Sequence, residues 1–209
     1  MGLDIVAISK AKWVPCRGGA DCSDSHHEVS TYRKNKDRLK AGCYVVEKGG
    51  RSFGFRAASY FNYDLFRQEL SMMALGVDSE EVWGNPRHFR RKPFVELIDF
   101  PDGVGPVIGP KTSAKLFDDF AEFASKAKRH FLSGALSEEA AAKQKRRKRT
   151  QKNQMNCAGL VSTAKLVRKM GIVPVKSEDG ADLDWMWEVY RDFRRAFKLA
   201  SDRGFVQFC

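Results

Sequence analysis

Strand-like segments at both ends of the chain constrain its fold more than any other feature. Residues 3–8 alternate in the manner of a half-buried strand, and 205–208 are strand-like after the helix breaker Gly204. Helical and strand-like segments are mixed between them over 209 residues, which is long enough for one domain with a sizeable core. The sequence therefore predicts a single α+β domain, 1–209, with its terminal strands in one mainly antiparallel sheet.

The clearest turn signal in the interior is Gly49-Gly50, between apolar runs at 43–47 and 52–57. Glycine supplies the positive φ that a tight turn needs, so these runs are predicted to pair as a β-hairpin. Two further strands are predicted at 28–32 and 94–100, where short apolar runs meet turn residues.

Three or four packed helices are predicted from apolar stripes at helical spacing. The first is capped by Asn62 and ends at Gly76, and the second opens at Thr112 or Ser113. The last covers about 183–200. The stripes of the second and last helices are Leu116, Phe120, Phe123, Ala127 and Phe131, and Trp185, Val189, Phe193, Ala196 and Ala200.

A basic run at 143–152 holds seven of the net eleven positive charges and contains no acid. The run lies in a segment, 133–156, that lacks an apolar stripe and is predicted to be an exposed helix or a mobile excursion. Such a tract binds nucleic-acid backbones through charge alone. Its cations are Lys143, Lys145, Arg146, Arg147, Lys148, Arg149 and Lys152.

Composition also suggests a cellular compartment. No run of 18 apolar residues is present, and the N-terminus lacks the basic start of a signal peptide. Five cysteines in such a chain are typical of the reducing cytoplasm, where they stay as free thiols. We therefore predict a cytoplasmic protein with no membrane partner.

The densest set of polar and aromatic side chains lies at a predicted strand-to-helix junction, 55–67. The candidate ligand-binding residues there are Arg56, Ser59, Tyr60, Asn62, Tyr63 and Arg67. Arginine can fork onto a phosphate, Ser and Asn can complete its shell, and a tyrosine ring can stack on a base. The structural alternative is that Asn62 caps the helix while the tyrosines pack in the core.

A second polar region follows the predicted strand 94–100. Its candidates are Asp99, Asp102, Gly105, Gly109 and Lys111. Backbone N–H groups at the start of the next helix, together with the lysine, can hold a phosphate or a carboxylate. The aspartates can accept from a ribose hydroxyl or act as acid and base. A plain structural turn is the alternative interpretation.

The loop before residue 28 contains Cys16, Cys22, His26 and His27, which are zinc-ligand types. The cysteines are spaced more widely than in a tight Cys-x(2–4)-Cys pair, and adjacent histidines usually point apart. We therefore predict no metal and no cofactor, and a polar loop in which His27 faces a ligand pocket.

Several of these blocks resemble a phage and prophage family of small proteins that begin Met-Gly-Leu-Asp-Ile. The matching blocks are 1–5, 42–44, 55–60 with Tyr63 and Arg67, 96–102, 108–110, 115–116, and 196–208. This chain departs from the family at Asp99, where Asn is usual, at Cys209, where His is common, and in its basic run. The resemblance implies a phage setting, hence an infected bacterial host, and a shared fold, but no reaction.

The polar blocks sit at strand ends, where one pocket can collect them. We predict a phage counter-defence protein that sequesters a nucleotide-like, phosphate-bearing host immune signal and has no catalytic residues. The assigned roles are phosphate binding by Arg56, Arg67 and Lys111, base stacking by Tyr60 or Tyr63, and ribose binding by Asp102. The alternatives are nucleic-acid or ribonucleoprotein binding through the basic run, and a nucleotide phosphodiesterase or other hydrolase. A homodimer is the default assembly.

Overall fold

The two ends of the chain meet in one five-stranded sheet. The computed structural model describes residues 2–15, 27–29, 35–100, 105–132 and 184–209. Strand β1 (Gly2–Ile8) is paired on both sides in this sheet, antiparallel to the C-terminal strand (Phe205–Phe208) on one side and to Ser52–Ser59 on the other. The predicted α+β class and the adjacent terminal strands are confirmed.

Eight strands form two sheets in the described part of the chain. In chain order they are β1, β2 (Ala11–Val14), β3 (His27–Val29), β4 (Asn35–Lys36), β5 (Gly42–Val46), β6 (Ser52–Ser59), β7 (Val107–Ile108) and β8 (Phe205–Phe208). The larger sheet has the order β4-β7-β8-β1-β6, and the smaller one β2-β5-β3. All pairs are antiparallel except β4 with β7.

The Gly49-Gly50 turn forms, but the predicted hairpin is wrong because its two strands join different sheets. β5 pairs with β2, whereas β6 pairs with β1. The short link Ser9-Lys10 between β1 and β2 faces the Gly-Gly turn, and Ser9 N donates to Arg51 O over 2.9 Å. The link between β1 and β2 and the turn between β5 and β6 therefore bend at the same place. On one side of the bend β1 pairs with β6 in the larger sheet, and on the other side β2 pairs with β5 in the smaller one.

Six helices are described, more than the three or four predicted. They are α1 (Tyr60–Leu75), α2 (Ser79–Gly84), α3 (Val95–Ile98), α4 (Pro110–Glu122), α5 (Ala124–Leu132) and α6 (Asp184–Ala200). The predicted long helix after residue 112 is divided at Phe123 into α4 and α5. The predicted C-terminal helix matches α6 closely.

The predicted strand 94–100 is a helical turn, α3. Phe94 has a left-handed backbone, with φ of 59°, and its carbonyl accepts from Leu97 N and Ile98 N, each over 2.9 Å. An apolar run of seven residues is too short for its periodicity to distinguish a buried strand from a buried helical turn. The prediction was wrong for that reason.

An aromatic core joins the larger sheet to the helices. Phe66 of α1, Phe120 of α4 and Phe193 of α6 are fully buried, and the ring of Phe193 stacks on the other two at centroid distances of 5.7 and 6.3 Å. Aromatic pairs at such distances add stability beyond their buried area. The predicted stripes of the second and last helices contribute Phe120, Phe131 and Phe193 to this core.

Backbone contact at the end of α6 leaves no room for a side chain. A Cβ atom built on Gly204 would lie 1.7 Å from the carbonyl oxygen of Ile8. Glycine therefore lets the chain leave α6 and enter β8 directly against β1.

The structure also bears on the predictions about membrane spans and cysteines. No helix in the described ranges is long and apolar enough to cross a membrane. Cys209 is a free thiol, whereas Cys43 is disulfide-bonded, so the expectation of free thiols is wrong at Cys43.

Candidate functional site

The start of α1 positions the first group of candidate residues. Ser59 ends β6 in an extended conformation, and its hydroxyl accepts from Asn62 N over 3.2 Å. Ser59, rather than Asn62, is therefore the N-cap, as expected for a serine whose oxygen reaches the third residue of the helix. This cap turns the chain so that Tyr60 and Phe61 open the helix at the end of the sheet.

A cavity of about 540 Å³ lies beside this helix start. We call it the aromatic–acidic pocket, and its lining residues are Tyr60, Phe61, Asp64, Arg67, Trp83, Asp99 and Phe100. It brings together three predicted residues, Tyr60, Arg67 and Asp99, from two separate blocks of sequence. Its volume lies within the range of about 300–1,000 Å³ that is usual for small-molecule sites.

Arg67 forms the floor of the pocket and is only 3% exposed. Its Nη1 donates to the carbonyl of Phe100, and its Nη2 lies 3.2 Å from Oδ1 of Asp64. Its guanidinium also lies 4.9 Å from the ring centroid of Tyr63 and 5.2 Å from that of Trp83. These contacts commit the guanidinium to the protein, so its main effect is to hold the pocket walls together.

The walls come from α2 and α3 as well as α1. Trp83 Nε1 donates to the Ile98 carbonyl over 2.7 Å, which fixes the indole against the turn that carries Asp99. Phe61 stands at the rim and is 53% exposed, one of two large apolar side chains described as exposed. Aromatic walls with two carboxylates are suited to a flat ring that donates hydrogen bonds.

The other candidates of the 55–67 block lie outside this cavity. Arg56 projects from β6, where its Nε lies 3.2 Å from Oδ1 of Asp4, and both side chains are more than half exposed. Tyr63 is completely buried in the aromatic core, as in the structural alternative for the tyrosines. Asn62 is half-buried on the first turn of α1.

The predicted anion site at the start of α4 already holds an anion from the chain itself. Gly109 is the N-cap and Lys111 is exposed in the first turn. Asp37 accepts from Thr112 N over 2.8 Å and from the Thr112 hydroxyl over 2.7 Å. A carboxylate 75 residues away therefore occupies the helix start at which a ligand anion was predicted.

The remaining candidates are spread over the fold. Gly105, with φ of 100°, donates its N–H to the Phe208 carbonyl over 2.7 Å and so anchors the C-terminal strand. His27 lies in β3, and its ring meets that of Phe205 edge-on at 6.3 Å. Asp102, Cys16, Cys22, His26 and the basic run 143–152 lie outside the described residues.

Sequence reasoning missed four residues of the pocket: Phe61, Asp64, Trp83 and Phe100. Asp64 follows Tyr60 by four residues, so helical spacing offered a signal for it. Trp83 had no such signal, because only the packing of α2 against α3 brings it to α1. Within the described residues, no group of three or more His, Cys, Asp and Glu side chains is placed to hold a metal ion.

Comparison of the chain with protein-family models, with curated proteins and with solved structures finds no match in any of the three.

Proposed function

We propose that this protein binds and sequesters a nucleotide-like, phosphate-bearing small molecule, with the base in the aromatic–acidic pocket. The observation that carries the proposal is the convergence of aromatic side chains and two carboxylates around one cavity of about 540 Å³. Three of the lining residues, Tyr60, Arg67 and Asp99, were predicted as ligand contacts from sequence alone.

The pocket suits the base and the ribose of such a ligand. A planar base gains stacking energy on the rings of Tyr60, Phe61 or Trp83. Its amino groups, or a ribose hydroxyl, donate to the carboxylates of Asp64 and Asp99. Arg67 keeps Asp64 in place for this role, since the two side chains are 3.2 Å apart.

The phosphates belong outside the cavity, because the two carboxylates repel them from its interior. Arg56 is a suitable partner there, since it lies near the end of β6 from which α1 begins. Its ion pair with Asp4 is exposed on both sides and is worth at most about 1 kcal/mol. A phosphate with two negative charges competes well for that guanidinium.

The biological setting in this proposal comes from the resemblance to phage and prophage proteins. In an infected bacterium, stoichiometric capture of a nucleotide-like immune signal would blunt a host defence without any chemical step. We therefore include counter-defence as the role of the binding activity.

Capture from cell extract tests the proposal. The purified protein is incubated with extract of phage-infected bacteria, washed and heat-denatured, and the released small molecules are identified by mass spectrometry. We expect an intact nucleotide at about one per chain. Catalytic consumption of the nucleotide would favour the hydrolase alternative, and an empty protein would contradict the proposal.

Single substitutions then tie the ligand to the pocket. Tyr60→Ala and Arg56→Ala are each expected to weaken binding by about tenfold, the loss of one stacking or one charge-assisted contact. Arg194→Ala is the matched control, because Arg194 is exposed on α6 beside Phe117 of α4. It neither lines the aromatic–acidic pocket nor contacts Arg56. Unchanged affinity in Arg56→Ala, with intact folding, would refute the proposed phosphate contact.

A further inference from the structure

A second cavity, of about 400 Å³, lies where β1 turns into β2. We call it the basic pocket, and its charged lining residues are Lys10, Arg51, Arg195, Lys198 and Asp202. These residues come from three separate parts of the chain: the Ser9-Lys10 link, the Gly49-Gly50 turn and the end of α6. Four cations face one carboxylate, so the lining carries a net positive charge.

Hydrogen bonds fix the backbone on which two of these cations stand. The buried Ser9 hydroxyl accepts from Arg51 N over 2.9 Å, which joins the β1–β2 link to the Gly-Gly turn. Lys10 N donates to the Asp202 carbonyl over 2.7 Å, and Lys10 O accepts from Glu47 N over 3.0 Å. Lys10 has a left-handed backbone, with φ of 49°, which is costly for a residue other than glycine.

The third cation is ordered by stacking. The Arg195 guanidinium lies 4.1 Å from the ring centroid of Phe53, which also lines the pocket. Stacking on an aromatic face restricts a long side chain while leaving its N–H groups available to a ligand. The guanidinium is therefore held at the pocket wall by the ring of Phe53 and not by a salt bridge to a described carboxylate.

The acids around the pocket do not neutralise it. Asp202 Oδ1 lies 3.8 Å from Nε of Arg203, whose Nη1 lies 3.6 Å from Oε2 of Glu47. Asp192 lies near Arg195 on the same helix and attracts it through space. Among the described residues, none of the four lining cations forms a salt bridge.

From this arrangement we propose that the basic pocket is a binding site for a small anion with two or more phosphate groups. Several cations spread around a concave site are matched best by several negative charges, and arginine forks fit phosphate oxygens. A cavity of about 400 Å³ suits an oligophosphate or the phosphates of a nucleotide. Nucleic-acid backbones are usually bound along extended basic stripes instead.

The site is separate from the aromatic–acidic pocket. β1 and β6 pair from Gly2 with Ser59 to Ile8 with Ser52, and the two pockets lie at opposite ends of this pair. Six residue steps of strand span roughly 20 Å. One mononucleotide is too short to fill both, so the basic pocket takes its own ligand.

Calorimetric titration with inorganic pyrophosphate and tripolyphosphate tests this site on the full-length protein. We expect saturable binding that weakens at least tenfold in Arg51→Ala and in Arg195→Ala. The matched control is Arg194→Ala, which removes the same charge from the adjacent exposed position on α6 and is expected to stay within twofold of wild type. Circular dichroism checks that each variant is folded.

Further arms identify the source of the phosphates. The ATP titration is made in Tyr60→Ala, in which the proposed base site is weakened. Equal affinity for pyrophosphate and ATP then indicates a site for free oligophosphate. Tighter binding of ATP that is lost in Arg195→Ala indicates a nucleotide, and either result supports the proposal. Absence of pyrophosphate binding, or equal losses in Arg194→Ala and Arg195→Ala, overturns it, as does binding only to RNA or DNA. Tyr60→Ala is expected to leave the pyrophosphate titration unchanged, because Tyr60 does not line the basic pocket. Failure of the pyrophosphate titration is therefore distinct from failure of the proposed base site.

Discussion

The two pockets use arginine in opposite ways. Arg67 in the aromatic–acidic pocket is 3% exposed, and its Nη1 and Nη2 groups are directed to the Phe100 carbonyl and the Asp64 carboxylate. Arg195 in the basic pocket is exposed and rests on the face of Phe53. A buried guanidinium must be satisfied by the protein, whereas a stacked and exposed one keeps its donors for a ligand.

This contrast shows why residue type alone does not identify a phosphate site. Both arginines lie on helices near aromatic rings, yet burial assigns Arg67 to structure and exposure leaves Arg195 for binding. The following substitutions test that division, from the largest expected effect to the smallest.

Replacing each arginine by leucine separates the two pockets most sharply. Arg67→Leu is expected to lower the free energy of unfolding by about 3 kcal/mol, because it breaks a buried ion pair and removes a donor from the Phe100 carbonyl. Arg195→Leu is expected to cost less than about 1 kcal/mol, the value of an exposed cation–π contact. Urea unfolding followed by circular dichroism measures both, and similar losses would contradict the division.

The start of α4 provides a second test, because its anion is internal. Asp37→Ala is expected to lower the free energy of unfolding by about 1–2 kcal/mol through loss of the two bonds to Thr112. Asp37 has φ of 72°, so alanine also adds backbone strain. Asp37→Asn tolerates that conformation and keeps an acceptor, so it should lose less. Thermal denaturation compares the two variants, and no loss in either would show that the cap is unimportant.

Arg56 provides a third test, since its pair with Asp4 is exposed. Arg56→Ala is expected to change the free energy of unfolding by less than about 0.5 kcal/mol, because solvent screens such pairs. Its effect on nucleotide binding is then a true binding effect. A loss above about 2 kcal/mol in chemical unfolding would instead make Arg56 a structural residue like Arg67.

The smallest effect concerns pH near the basic pocket. Burial raises the pKa of Asp192 above its ordinary 3.8, while Arg191 and Arg195 oppose the shift. The folded state therefore holds this proton more tightly, and the stability that Asp192 contributes is lost as pH rises through its folded pKa. Asp192→Asn should gain stability relative to wild type between about pH 3 and about pH 7. The measurement is the melting temperature of both proteins over that pH range. A constant difference between the variant and wild type at every pH would contradict this prediction.

Sequence patterns predicted the elements with long repeats well and short ones poorly. The stripe of α6 recurs over seventeen residues, and the structure confirms its buried face at Val189, Phe193 and Ala196. The short run 94–100 was misassigned, because so few residues support either period. At the Gly-Gly turn, the local signal was correct and only the pairing partner was wrong.

The candidate sites were likewise predicted only in part from the sequence. Tyr60, Arg67 and Asp99 were predicted as ligand contacts from residue type, and the fold brings them to one cavity. The basic pocket had no signal in the sequence, because Lys10, Arg51 and Arg195 are far apart along the chain and each is unremarkable where it stands.

The sequence by itself determined the long helices α1 and α6 and the strands at its two ends, because periodicity and breakers act between near neighbours. Only the tertiary structure decided which charges are already neutralised and which remain for a ligand. Asp37 reaches Thr112 across 75 residues, and Arg67 reaches Phe100 across 33. Such pairings depend on burial and distance in the folded chain, which local patterns do not encode.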